Sequence, residues 1–220
     1  MNRNLFFFLA LLATLVLIAC GGEKEPDEVS QSAETDTIAE PALDPMVQCL
    51  EVADQICGAG VWFAILGEQI NNLPIDDLQP REVADSSLSE GGYVYIKRTI
   101  YLEQGEVVVE GTFLEEKNAT DEDLNNSKVH RIFFRNPTFH TPTGLEVGNT
   151  VLQLRESYAG EELAVSVIPD YETVVVQLPG AGNMFVHFTD AENEWSSQAG
   201  ESLSIDMLPT SWQIREIVVM

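Results

Sequence analysis

The chain has 220 residues, with 36 acidic against 11 basic side chains and a formal net charge of -25. Binding of nucleic acid or of an anionic lipid surface is disfavoured, because it needs clustered Lys and Arg and a field of this sign repels phosphates from almost any face. The length suits one modest domain plus extras.

The first of those extras is at the amino terminus. After a short start carrying Arg3, Leu5 to Ala19 is an apolar run broken only by Thr14. Fifteen residues fall short of the roughly 20 needed to span a bilayer but suit the apolar core of a secretory signal. The run ends in Leu17-Ile18-Ala19-Cys20-Gly21, which resembles the lipobox of bacterial lipoproteins. The resemblance implies cleavage before Cys20, a diacylated Cys20 sulfur and an acylated new amino terminus. The expected address is the bacterial outer membrane, lipid-anchored and facing the periplasm or the cell surface. One acyl chain binds a membrane marginally, but each buried CH₂ adds about 0.8 kcal/mol, so additional chains make release negligible. Loss of residues 1–19 removes Arg3 and no acid, leaving 36 acidic and 10 basic residues, a net of -26.

From Gly21 to Pro45 Glu, Asp, Ser, Thr, Pro and Gly dominate, a composition that cannot offset its ordering entropy by burial and reads as a disordered acidic tether running from Cys20 to residue 45. Such a coil spans about 25 to 30 Å on average. Glu23-Lys24-Glu25-Pro26-Asp27-Glu28 resembles the acidic signal that sends some Bacteroidetes lipoproteins to the cell surface; an ordinary solvated linker is the alternative. With Cys20 used for lipid, Cys49 and Cys57 form an even pair in an exported chain, and the compartment favours a disulfide. One continuous helix would hold their alpha carbons about 12 Å apart, beyond bridging reach. Either the segment bends near Asp54 to Cys57, or the thiols are free.

Residues 46–220 make a single domain. Tyr93 to Glu103 alternates, with Val94, Ile96, Ile100 and Leu102 on one face, and reads as a half-buried strand. Gln104-Gly105 predicts a hairpin turn into the Val-rich run Glu106 to Leu114. Further strands are expected at Lys128 to Arg135, Leu163 to Ile168, Thr173 to Leu178, Met184 to Thr189 and Gln213 to Met220, with a shorter apolar run at Val61 to Leu66. Hairpin-length connections argue for antiparallel pairing. One stretch is different: Thr150 followed three residues later by Gln153 is a capping-box arrangement, and Val151, Leu154 and Tyr158 share a helical face before Gly160. The expected class is α+β, an antiparallel sheet of about seven or eight strands with one short helix, about 150–159, packed on it.

Pro137 to Tyr158, which includes His140-Thr141-Pro142-Thr143-Gly144 and Gly148-Asn149-Thr150, is similar to a segment of small envelope lipoproteins. More distantly, its Gly-x-Thr entry to a short helix resembles lipoproteins that assist outer-membrane protein assembly and secreted enzyme inhibitors. It carries no catalytic residue across.

Candidate chemistry is sparse. No Gly-x-Ser-x-Gly is present. His130, His140 and His187 lack helical zinc spacing, so no metal or other cofactor is expected. Asp121-Glu122-Asp123-Leu124-Asn125 has alternating oxygen ligands, but Asn126 and Ile132 stand where an EF-hand needs Gly and Glu; a loose calcium site there, or at Asp190 to Glu194, stands beside a solvated loop. Trp195 lies in a polar run and is the aromatic best placed to grip a partner, with core packing as the alternative. The folded part carries 28 acidic and 9 basic residues, 28 minus 9 giving a net of -19, enough for solubility alone. The expectation is a non-enzymatic binding or envelope-assembly module, attached to the bilayer through acylated Cys20 and meeting a protein or envelope component. The alternatives are an envelope-polymer hydrolase using carboxylates or a metal, and an inhibitor of a cationic secreted enzyme.

Overall fold

The computed structural model describes residues 49–168, 173–180, 182–189, 195 and 203–220. The apolar leader, Cys20, the acidic tether and Asp190 to Glu194 lie outside the described residues. Among those described, no helix is long and apolar enough to cross a membrane.

The apolar run at Val61 folds as a miniature hairpin, β1 (Gly60–Val61) with β2 (Ala64–Ile65). The main sheet then begins with β3 (Glu82–Glu90), β4 (Tyr93–Leu102) and β5 (Gly105–Gly111), followed by a short β6 (Leu114–Glu115), the small helix α1 (Asp121–Asn125) and β7 (Val129–Arg135). Helix α2 (Val151–Ser157) precedes β8 (Ala164–Ile168), β9 (Thr173–Gln177), β10 (Met184–Thr189) and β11 (Ile214–Val219). The sheet order is β3-β4-β5-β7-β11-β10-β9-β8, with β6 paired to β4, and every pairing is antiparallel. This is the expected α+β class, mainly β. Two meanders, β3-β4-β5-β7 and β8-β9-β10-β11, are joined where the last strand of each pairs with the other.

Three local features depart from the sequence reading. The polar β3 carries no apolar alternation and is an unforeseen edge strand, exposed along nearly its whole length. The turn after β4 is Glu103-Gln104, because Leu102 pairs with Gly105. Gly105 has φ +148, and a Cβ there would sit 2.3 Å from the Arg135 carbonyl oxygen, so glycine permits the close approach of β7. Third, the expected strand Glu106 to Leu114 divides at a bulge between Glu110 and Gly111, and Leu114 returns to pair with Val94 of β4. The Ser127 hydroxyl would lie 2.2 Å from a Cβ at Gly111, which excludes any larger residue from that corner.

Helix α2 forms as its caps require. The Thr150 hydroxyl accepts from the Gln153 amide at 3.3 Å, and the Gln153 side-chain oxygen accepts from the Thr150 amide at 2.8 Å. Val151, Leu154 and Tyr158 are buried in the same apolar cluster as Ile132, Phe134, Ile217 and Val186 from the sheet. The amides of Val151 and Leu152 donate to the carbonyls of Trp212 and Thr210, so the segment leading into β11 satisfies the helix start. Cys49 and Cys57 lie at disulfide distance, with alpha carbons 6.1 Å apart. The chain reverses between them at Asp54, which adopts a left-handed φ of 62°, so the bend and not a continuous helix brings the sulfurs together.

Leu154→Ala empties a site with 0% exposure and is expected to cost about 2 to 5 kcal/mol. Gly105→Ala is expected to cost at least about 1 to 3 kcal/mol through backbone strain. Urea titration of both variants checks the placements, and an unchanged midpoint in either one refutes its placement.

Candidate functional site

The sheet has an apolar core face and a second face of a different kind. On the second face Val108, Phe133 and Val218 are buried, with Phe185 packed beside them. The strand registers align them: Val108 opposes Phe133, Phe133 opposes Val218 and Val218 opposes Phe185. Period-two alternation then places charged residues in rows on both sides of this stripe.

One row is a ladder of four strands. Arg135 of β7 donates from Nη1 to Glu106 of β5 at 2.8 Å and from Nε to Glu216 of β11 at 2.6 Å. The other Glu216 oxygen lies 2.9 Å from His187 Nδ1 on β10. In the second row Lys97 of β4 opposes Glu110 of β5, and Arg131 Nε lies 3.3 Å from the Glu110 carboxylate. The Arg131 and Arg135 guanidinium carbons sit 5.4 and 5.7 Å from the Phe133 ring centroid, so cations from both rows lean over the aromatic between them.

Burial opposes ionisation of Glu216, but hydrogen bonds from His187 and Arg135 overcome it and hold the carboxyl at about 2. Arg135 is likewise half-buried, yet its bonds to Glu216 and Glu106 push its pKa up. Glu110 goes the other way: burial raises its pKa against the partial opposition of Arg131 and Lys97. A carboxyl held at about 2 is an acceptor at neutral pH, not a proton donor, whereas acid–base catalysis works best with a pKa near the working pH. His187 has the orienting carboxylate of a catalytic pair, but among the described residues neither of its cross-strand neighbours is a nucleophile. Its cross-strand neighbours are Glu216 and Val175, and Ser166 opposes Val175 one strand further on, about 10 Å away by strand spacing.

The three histidines do not share a site. His130 is exposed and stands edge-on to Phe113, with ring centroids 5.7 Å apart; burial and then Arg131 lower its pKa. His140 sits in a loop whose backbone bridges to Gln55 and Glu146, while His187 belongs to the ladder. Among the described residues no three His, Cys, Asp or Glu side chains converge to hold a metal ion. The Asp121 to Asn125 stretch is helix α1, not a calcium loop. Asp123 Oδ2 accepts from the Thr120 hydroxyl at 2.7 Å and the Thr120 amide at 3.1 Å, a capping box that lowers its pKa. Trp195 is buried at 9% exposure, edge-on to Trp212 with centroids 6.2 Å apart. Core packing, one of the two readings its sequence left open, is the arrangement observed.

Of the ladder residues only His187 was singled out from the sequence, as one of three histidines weighed for a metal; Glu106, Arg135 and Glu216 were not. The available signal was a match of opposite signs at spacing four, on one face of each strand: Glu106-Val107-Val108-Val109-Glu110 against Arg131-Ile132-Phe133-Phe134-Arg135. Antiparallel pairing of those strands sets each acid opposite a base.

The Glu216 pKa is depressed from 4.5 to about 2, so its stabilisation is fully present above about pH 4.5 and is lost as pH falls through about 2. Glu216→Gln is expected to lower stability by about 3 kcal/mol at pH 7, with the deficit against the unsubstituted chain shrinking steadily below pH 4.5. Glu110→Gln removes a carboxylate that burial disfavours and is expected to cost less. Urea titrations at pH 7, 4.5 and 3 test both; a Glu216 deficit that grows on acidification refutes the assignment.

No family model matches the chain, and no curated protein matches it. Among solved structures, the chain is similar to the crystal structure of the uncharacterized protein yfeY from Escherichia coli, with a TM-score of 0.49 and 16% sequence identity over 76% of this chain and 96% of that one.

Proposed function

We propose that this protein is a lipid-anchored, non-enzymatic binding module of the bacterial envelope. Acylated Cys20 holds it to the outer membrane, and the acidic tether lets the folded domain meet a protein or other envelope component. The observation that carries the non-catalytic reading is the state of the ladder. Its perturbed groups are spent on one another: Glu216 takes bonds from both Arg135 and His187, and among the described residues the cross-strand neighbours of the imidazole are Glu216 and Val175. Such a row sets the charge pattern of a sheet face and fixes side-chain orientation without moving protons.

The address follows from the lipobox resemblance and the length of the apolar leader. Cys20→Ser is expected to abolish fatty-acid labelling and release the protein from the membrane fraction; undiminished labelling overturns the anchor. For the binding role, photo-crosslinking residues placed one at a time over the folded domain, in the native cell, are expected to yield a discrete adduct from one surface. Failure to form an adduct from any surface position overturns it.

A further inference from the structure

We propose that the free edge of β3 is a strand-addition site that takes an extended, basic peptide segment of a partner protein. The inference rests on the binding-module reading and supplies its surface.

β3 pairs on one side only, with β4, through nine residue pairs from Glu82 with Tyr101 to Glu90 with Tyr93. It stands first in the sheet order, with no described strand beyond it. The strand is also uncovered, and Val83 and Leu88 are 42% and 38% exposed. A long edge of this kind presents unpaired N–H and C=O groups that a guest strand can bond, and alternate side-chain positions that can select it. The opposite edge is less open: β8 has five residues, and its Val165 already bridges to Leu203.

Charge decides the guest. From Glu82 to Glu90 the strand carries Glu82, Asp85 and Glu90 and no Lys or Arg. Beside its middle lies a hollow of about 270 Å³ lined by Asp85, Ser87, Ile96, Asp121 and Leu124 among others. Arg98 pairs with Asp85 at 2.7 Å, so Asp121 is the acid the hollow leaves to a visitor. A guest strand sets every second side chain on that side, where a Lys or Arg meets Asp121. By the same alternation the other side carries Glu82 and Glu90 together with Leu88 and the 48% exposed Tyr93, so the intervening positions meet two further acids as well as apolar surface.

A second copy fits poorly. Antiparallel self-pairing about Ser86 sets Glu82 of each copy opposite Glu90 of the other, two like-charge contacts, on chains that each carry -25. The same acids that discourage self-association therefore favour a cationic stranger.

The test uses the detergent-solubilised full chain and an eight-residue probe alternating Lys and Val. A Glu–Val counterpart and a Lys–Val probe with alternate backbone nitrogens methylated are the controls. The Lys–Val probe is expected to slow amide hydrogen exchange within residues 82–90. Backbone methylation or the Glu–Val sequence is expected to weaken binding at least tenfold, and Glu82→Gln with Glu90→Gln several-fold. Equal affinity for the methylated probe, absence of protection in residues 82–90, or protection that rises with protein concentration without any probe each overturns the proposal. Cellular crosslinks formed only from positions away from β3 also overturn it while leaving the binding role intact; no crosslink from any position removes both.

Discussion

The pairing of β11 with β7 is the constraint on which the molecule depends. The two strands lie about eighty residues apart, and Ile217 opposes Phe134 while Val218 opposes Phe133. Remove this pairing and two four-stranded meanders remain, each with an open edge where the other should be. β11 contributes to every layer at once: Ile217 and Val219 enter the core, Val218 enters the apolar stripe on the other face, and Glu216 bonds Arg135 and His187. A slip of one residue would turn Glu216 into the core and Ile217 toward the ladder, so the charges and the apolar residues penalise the same error. Buried ion pairs contribute little net stability against apolar substitutes, and their best-attested use is to specify one register. Because this contact is non-local, folding must close a long loop before the pairing stabilises anything.

The ladder also explains why a sheet face outside the main core is nonetheless well buried. The guanidiniums of Arg131 and Arg135 lean over Phe133, while the two side chains remain partly exposed at 30% and 31%. Cations and acids alternate along each row, so a chain with a large negative charge concentrates three of its few basic residues, Lys97, Arg131 and Arg135, where they neutralise Glu106, Glu110 and Glu216. Much of the remaining acidity is left on edges and loops, including β3, α1 and the turns around them. The charge distribution thus separates a self-compensated face from an acidic periphery, and the periphery includes the exposed sheet edge.

Parts of this arrangement were legible at the level of residues. Thr150 and Gln153 announced the start of α2, because a capping box is satisfied within four residues and needs no tertiary partner. The alternation of β4 was equally plain, since Val94, Ile96, Ile100 and Leu102 face one core. β3 was not legible: an edge strand exposed on both faces has no buried side to impose alternation, and Ser and Asp read as loop. Trp195 was legible only as a choice between surface and core: its polar neighbours allowed either, and Trp212, reached only through the fold, is the aromatic it packs against.

The sequence by itself determined the acidic character, the α+β class, most of the strands and the short helix, together with the expectation of a cleaved and acylated amino terminus. These rest on composition, on periods of 2 and 3.6, and on motifs whose residues are neighbours in the chain. Tertiary structure alone decided the strand order, the insertion of β11 between β7 and β10, the joining of Glu106, Arg135, Glu216 and His187, and the free edge of β3. Each of these is a relation between residues far apart in sequence, created when loop closure brings separate strands into register, and no local pattern encodes which distant strand a given edge will meet.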